Sequence, residues 1–221
     1  SIVLSAGSFS SYLWSNSSTS SGIIVSSSGT YSVAVTNAQG CSSSDTIDVS
    51  IFTVPSPNLG LDTTQCGGSI ALSAGSFSSY LWSNSSTSSG IIVSSSGTYS
   101  VEVTDGNGCK AKDTITVTIN TLPNINLGSD TSQCGGSIVL SAGSFSSYLW
   151  SNSSTSSGII VSSSGTYSVE VTDGNGCKAK DTITVTINTL PNINLGSDTS
   201  QCGGSIVLSA GSFSSYLWSN S

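Results

Sequence analysis

The chain has 221 residues, a formal charge of −7 from eleven acids and four lysines, no histidine, and only 7% charged residues, against roughly 25% in ordinary globular chains. With no Arg and no Lys cluster it lacks the basic patch that nucleic acid or an anionic membrane surface would need, and no run approaches the ~18 apolar residues of a membrane-spanning helix. Disorder is excluded as well, because 36% of the residues are hydrophobic and they recur as Val, Ile, Leu, Tyr and Trp at regular places. The expectation is a folded, β-rich protein with a neutral, hydroxyl-coated surface.

Self-similarity decides the organisation. The string SAGSFSSYLWSNS begins at Ser5, Ser73, Ser141 and Ser209, a spacing of 68 residues each time. Residues 69–136 and 137–204 differ at one position, Ala71 against Val139. A 68-residue period is longer than the ~20–50 residues of solenoid units and suits small autonomous β-domains in series. Prolines that supply no backbone donor mark the boundaries: Pro55 and Pro57, Pro123, and Pro191. The expected units are 1–54, a partial repeat missing its first strand; 55–122; 123–190; and 191–221, the start of a further repeat. The chain has no signal peptide and starts inside a repeat, so it reads as a window onto a longer polymer.

Taken in chain order, the second repeat predicts strands at Ser69–Ser73, at Ser79–Ser83 with Tyr80 and Trp82 on one face, and at Gly90–Ser94 with Ile91 and Val93. Thr98–Thr104 alternates, with Tyr99, Val101 and Val103 inward. Asp113–Asn120 alternates with Ile115, Val117 and Ile119 inward, and Asn124–Leu127 is a short strand opening the next repeat. Period-2 alternation with β-branched residues marks half-buried strands, and no segment has helical periodicity. Copies one and two differ in the last two strands at 34/102, 48/116, 50/118 and 52/120, all on the outward face. The inward pairs Tyr31/Tyr99, Val33/Val101, Ile47/Ile115 and Val49/Val117 are unchanged, as alternating burial requires. Asp105-Gly106-Asn107-Gly108 reads as a tight hairpin turn; a calcium loop would need more than its one carboxylate.

The six cysteines, Cys41, Cys66, Cys109, Cys134, Cys177 and Cys202, keep the same period. None forms a C-x-x-C pair and no His completes a metal site, so they predict disulfides and an oxidising, extracellular setting. Two pairings fit the spacing. Cys66–Cys109 and Cys134–Cys177 would close loops inside domains and leave Cys41 and Cys202 to partners outside the window. This pairing is favoured because each domain then oxidises independently. Cys41–Cys66, Cys109–Cys134 and Cys177–Cys202 would instead cross each boundary.

Trp82 on a central strand, and Gly97-Thr98-Tyr99 opening a later one with Tyr99 at the place of a tyrosine corner, resemble immunoglobulin-like sandwiches. The cysteines do not lie on facing strands, so the antibody-type core disulfide is not expected. The fold class is therefore all-β, as tandem immunoglobulin-like β-sandwich domains. A closer resemblance lies in Cys134-Gly135-Gly136, Tyr148-Leu149-Trp150-Ser151, Gly165-Thr166-Tyr167-Ser168-Val169-Glu170-Val171-Thr172-Asp173, Gly176-Cys177 and Asp181-Thr182-Ile183-Thr184-Val185. In that order the motifs are similar to the Ig-like and PKD-like repeats of large secreted surface adhesins of gliding bacteria (SprB-like). The resemblance implies type IX-like export, a place at the cell surface and a role in adhesion, gliding or surface filaments. It also implies O-glycosylation at Asp-Thr motifs, with Thr46, Thr63, Thr114 and Thr182 as candidate carriers. The Asn16, Asn84 and Asn152 sequons read as coincidence in a Ser-rich chain.

Catalysis has few candidates. A Ser-His-Asp triad is impossible without His, and Lys110 and Lys112 are replaced in copy one by Ser42-Ser43-Ser44. No enzyme, cofactor or metal is expected. The expected function is a stalk or filament whose partners are neighbouring repeats or further copies of itself. The alternative is a multivalent module in which Phe77, Tyr80 and Trp82 form an aromatic platform for surface glycans.

Overall fold

A computed structural model describes residues 1–219. Every regular element among them is a strand. The first repeat holds β1 (Ile2–Ser5), β2 (Ser11–Trp14), β3 (Gly22–Val25), β4 (Gly29–Thr36) and β5 (Ser42–Val49). The second holds β6 (Thr63–Cys66), β7 (Ile70–Ser73), β8 (Ser79–Trp82), β9 (Gly90–Val93), β10 (Gly97–Thr104) and β11 (Lys110–Asn120). The third repeats this as β12 (Thr131–Cys134), β13 (Ile138–Ser141), β14 (Ser147–Trp150), β15 (Gly158–Val161), β16 (Gly165–Thr172) and β17 (Lys178–Asn188). The chain divides into two compact units, one ending at Asn120 and the other starting at Thr121.

In the second repeat the long hairpin β10–β11 is the centre of a four-stranded sheet of order β6-β11-β10-β8. Gly97 pairs with Val117 and Thr104 with Lys110 in the hairpin. β8 lies antiparallel on its other side, with Val101 opposite Trp82. β6 runs parallel along the far edge of β11, Thr63 beside Val117 and Cys66 beside Asn120. β7 and β9 form a separate two-stranded sheet, Ile70 opposite Val93. Both layers feed one core: Leu72, Ile91 and Val93 from the small sheet meet Trp82, Val101, Val103, Ile115 and Val117 from the large one. Fully burying each such aliphatic side chain contributes about 1.5–3 kcal/mol. The third repeat has the same order, β12-β17-β16-β14 with β13-β15, and a matching core. Tyr99 Oη donates to the Ser95 carbonyl at 2.8 Å, and Tyr31 and Tyr167 do the same to Ser27 and Ser163, as a tyrosine corner does. The fold is a tandem of immunoglobulin-like β-sandwiches.

The five strands expected in the second repeat are present, with the expected residues facing in. Two expectations need correction. Asn124–Leu127 is not a strand. Pro123, Ile125 and Leu127 do alternate inward, and Ile125 and Leu127 pack on the core, but the segment joins no ladder. The edge strand is instead the following Thr131–Cys134, beside β17. Ile47, expected inward, is 49% exposed whereas its counterpart Ile115 is 2% exposed. In repeats two and three Leu59 and Leu127 cover this part of the core. In the first repeat a groove of about 530 Å³ lined in part by Tyr31, Val33, Val35 and Ile47 lies there. Of 191–221, expected to start a further repeat, residues 220 and 221 lie outside the described residues and 191–219 contain no strand.

Gly90 and Gly158 open the short strands β9 and β15, and the ladder presses on them. A Cβ at Gly158 would lie 2.7 Å from the Leu140 carbonyl oxygen, and one at Gly90 would lie 2.6 Å from that of Leu72. Backbone cannot yield there as a flexible side chain does. The paired change Gly90→Ala and Gly158→Ala should therefore cost about 1–3 kcal/mol per repeat, seen as a lower urea midpoint. Ser85 and Ser153 sit at φ +67° in the turn after Trp82 or Trp150. Because the left-handed region costs an L-residue roughly 1–2 kcal/mol, Ser85→Gly with Ser153→Gly should move that midpoint upward.

Candidate functional site

The loop Ser73–Tyr80 carries the aromatic residues considered for binding. It is built around one hydroxyl. Tyr80 Oη accepts the Phe77 N–H at 2.8 Å and donates to the Gly75 carbonyl at 2.9 Å, and the Phe77 and Tyr80 rings meet edge to face at 6.4 Å. Phe77 and Tyr80 are half-buried and lean on the core. Trp82 is 2% exposed, and its Nε1 donates to the Ser88 carbonyl at 2.8 Å. The three do not form a platform: Trp82 belongs to the core, because β8 turns it toward Val101, and Tyr80 spends its hydroxyl on the loop. Phe77 does border a shallow depression of about 310 Å³ with Ser76, Ser78, Asp105 and Gly106.

The Asp105–Gly108 turn uses its carboxylate locally. Asp105 Oδ1 accepts the N–H of Asn107 at 2.9 Å and of Cys109 at 2.8 Å, while Gly108 takes φ +84°. In copy one Asn37 accepts from Gln39 and Cys41 in the same way, so the turn needs an acceptor oxygen and no charge.

The Asp-Thr motifs have a structural role that the sequence did not reveal. Asp113 Oδ2 accepts the Leu59 N–H at 2.7 Å, and Asp62 Oδ1 accepts the Thr116 N–H at 2.8 Å. Asp181 with Leu127 and Asp130 with Thr184 repeat the pair. Each pair ties the incoming segment to the long strand, one carboxylate from each side. In copy one Asp45 accepts instead from its neighbour Thr46. Thr46, Thr114 and Thr182 are exposed on the long strands, and Thr63 is half-buried on β6.

The cysteines depart from both expected pairings. Cys66 and Cys177 are disulfide-bonded, and Cys41, Cys109, Cys134 and Cys202 are free thiols. The favoured bridges Cys66–Cys109 and Cys134–Cys177 are therefore not formed. The register gives the reason. Cys66 lies beside Asn120, the last residue of β11, and Cys109 immediately precedes its first, Lys110. Ten residues of strand separate those ends by about 33 Å, whereas bridged Cα atoms lie roughly 4.4–6.8 Å apart. Cys134 beside Asn188 and Cys177 before Lys178 are divided in the same way by β17. The boundary-crossing set is not formed either, since each of its bridges would need one of the free thiols.

No protein-family model and no curated protein matches the chain. Among solved structures it is similar to the insect immune protein hemolin, at 15% identity and TM-score 0.38 over 72% of this chain and 56% of that one, so it spans little more than half of hemolin. It is similar to titin domains I67–I69, at 11% identity and TM-score 0.40 over 80% and 87% of the two chains. A third is the SGBP-B protein of a Bacteroides ovatus mixed-linkage glucan utilization locus, bound there to a heptasaccharide, at 14% identity and TM-score 0.23 over 85% and 63%.

The carboxylate ties give a direct test. Asp181→Ala removes the acceptor of the Leu127 amide, and a hydrogen bond to a charged group contributes about 1.5–3 kcal/mol. Hydrogen exchange at Leu127 should accelerate by roughly 10- to 100-fold, with the amides of β16 unchanged.

Proposed function

We propose that the chain is the repeat region of a stalk or filament in a large extracellular surface protein, with 55–122 and 123–190 as its folding units. The observation that carries this reading is the direction of each repeat. The incoming segment is held at the start of the long strand, Leu59 by Asp113 and Leu127 by Asp181, and the chain leaves from that strand's far end, at Asn120 or Asn188. A unit entered at one end and left at the other adds length with every copy. At ~3.3 Å per residue the 11-residue strand gives about 35 Å per repeat. Sparse charge and a hydroxyl surface suit a spacer that must not stick, and glycan on exposed Thr46, Thr114 and Thr182 would extend that effect. The resemblance to adhesins of gliding bacteria favours cell-surface display by type IX export. Electron microscopy of chains with two, four and eight repeats tests the reading: rods should lengthen by about 35 Å per repeat, and compact particles would overturn it.

A second reading rests on the depression beside Phe77, where an aromatic face, serine hydroxyls and the Asp105 carboxylate lie together, the components of a shallow sugar site. Saturable binding on a glycan array, abolished by Phe77→Ala with Phe145→Ala, would favour it over a pure spacer.

A further inference from the structure

The small sheet of each repeat leaves one strand edge uncovered. In the second repeat Ala74 donates its N–H to the Ser89 carbonyl at 3.0 Å. Ladder bonds alternate along an antiparallel pair, so Leu72 with Ile91 and Ile70 with Val93 carry the next ones. Gly90 and Ile92 therefore aim their N–H and C=O groups away from β7. No strand, turn or side chain among the described residues takes them up. Neighbouring edges are partly closed. On β7 the Ser69 carbonyl accepts from Gln65 Nε2 at 3.4 Å, and on β8 the Trp82 N–H donates to the Ser86 carbonyl at 2.9 Å. The third repeat is built alike, with Gln133 on Ser137 and Trp150 on Ser154.

Edge strands are normally blunted by Lys, Pro or a bulge. β9 has none of these, and its register is continuous. It lies in the run Ser-Gly-Ile-Ile-Val-Ser, which stands unchanged at 21–26, 89–94 and 157–162. The outward residues Ile24, Ile92 and Ile160 are 73%, 75% and 72% exposed. Across the ladder each sits opposite a small apolar residue, Val3, Ala71 or Val139. Charge is kept away from the whole stretch: residues 1–44, 63–101 and 131–169 hold no acidic residue and no lysine.

We propose that β3, β9 and β15 are lateral docking edges, and that the partner is the same strand in a second copy of this chain. An antiparallel strand added along β9 sets Ile92 opposite Ile92 of the second copy and Gly90 opposite its Ser94. The outward N–H and C=O groups then pair, and the two isoleucines lie side by side on the outer face. Ile91 and Val93 stay in their own core. A two-stranded sheet is marginal by itself; two joined edge to edge equal the four-stranded sheet on the other side of the core. Two observations select a second copy. Chains of charge −7 repel each other wherever their charges face, and this edge lies in a neutral stretch. The edge also fits an extended, uncharged, β-branched strand with free backbone groups of its own, and the chain itself carries three. Pairing covers the exposed isoleucines, which a surface meant not to stick would otherwise leave open. The contact deepens the filament half of the proposed function and rests on that reading for its setting.

The test uses the oxidised 221-residue chain with its free thiols alkylated, so that no new disulfide joins two copies. Analytical ultracentrifugation from about 5 to 500 µM, the range of weak interfaces, should show reversible association. Between the bottom and the top of that range, hydrogen exchange should slow severalfold at the amides of Gly90, Ile92 and their counterparts. The amides of Ile91 and Val93, already bonded in the ladder, should keep their rates. Ile24→Lys with Ile92→Lys and Ile160→Lys should abolish association and leave the urea midpoint unchanged. A monomer at every concentration would give the edge to another partner or to none, and overturns the proposal. Association without protection of Gly90 and Ile92 overturns it too, as does association of the lysine variant at wild-type strength. The exchange comparison needs no substitution, so it decides the matter even if that variant fails to fold. Monomeric chains that still lengthen as rods with repeat number would end this proposal and leave the spacer reading standing.

Discussion

Most strands of this protein are four residues long and cannot persist by themselves; what holds them is the long hairpin that closes each repeat, of eight and eleven residues in the second and third and of eight and eight in the first. β10–β11 supplies both free edges on which β6 and β8 pair, and its inward valines are the most deeply buried residues in the core. Residues 191–219 show the dependence directly. They repeat residues 123–151 without a substitution, yet the first set contains three strands and the second none. Trp150 is 2% exposed and Trp218 47%, on the same local sequence. In the first set β12 pairs with β17, β13 with β15 and β14 with β16. Strand propensity is thus permissive here, and the partner edge decides.

The same comparison separates local from tertiary order. The bracket around the loop tyrosine survives in all four copies: Tyr216 Oη still accepts from Phe213 and donates to the Gly211 carbonyl, and their rings still meet edge to face. A motif whose partners lie within five residues needs no sandwich, and a strand whose partner lies fifty residues away does.

This distinction also governs how much was legible in the sequence. Alternation in Tyr99-Ser100-Val101-Glu102-Val103 encodes burial directly, so those strands and their faces could be read. β6 and β12 could not, because Thr-Thr-Gln-Cys and Thr-Ser-Gln-Cys have no apolar period and owe their strand state to a parallel neighbour. The Asp-Thr motif suggested a modification site, but the aspartate's backbone partner is 54 residues away, and nothing local marks that tie. The cysteine spacing was equally mute. It gives the number of residues in a loop, whereas bonding depends on which end of β11 each thiol occupies, a fact available only once the register is known.

The abundance of serine then takes on a structural meaning. Ser96 Oγ accepts the Ile119 N–H at 2.8 Å and donates to the Ile119 carbonyl at 3.2 Å, fastening the loop before the long hairpin to its last strand across 23 residues. Ser28 with Ile51 makes the same clasp, and Ser164 with Ile187 does so in the third repeat. Ser83 and Ser151 accept backbone N–H groups of the neighbouring strand at 3.2 Å. Ion pairing adds little by comparison: Lys110 with Glu102, and Lys178 with Glu170, are exposed contacts at 2.7 Å, a class that contributes about 0–1 kcal/mol and weakens with salt. Cross-links between neutral hydroxyls and backbone are not screened by ions. A chain with so few charges therefore still closes its loops, because uncharged groups do the fastening.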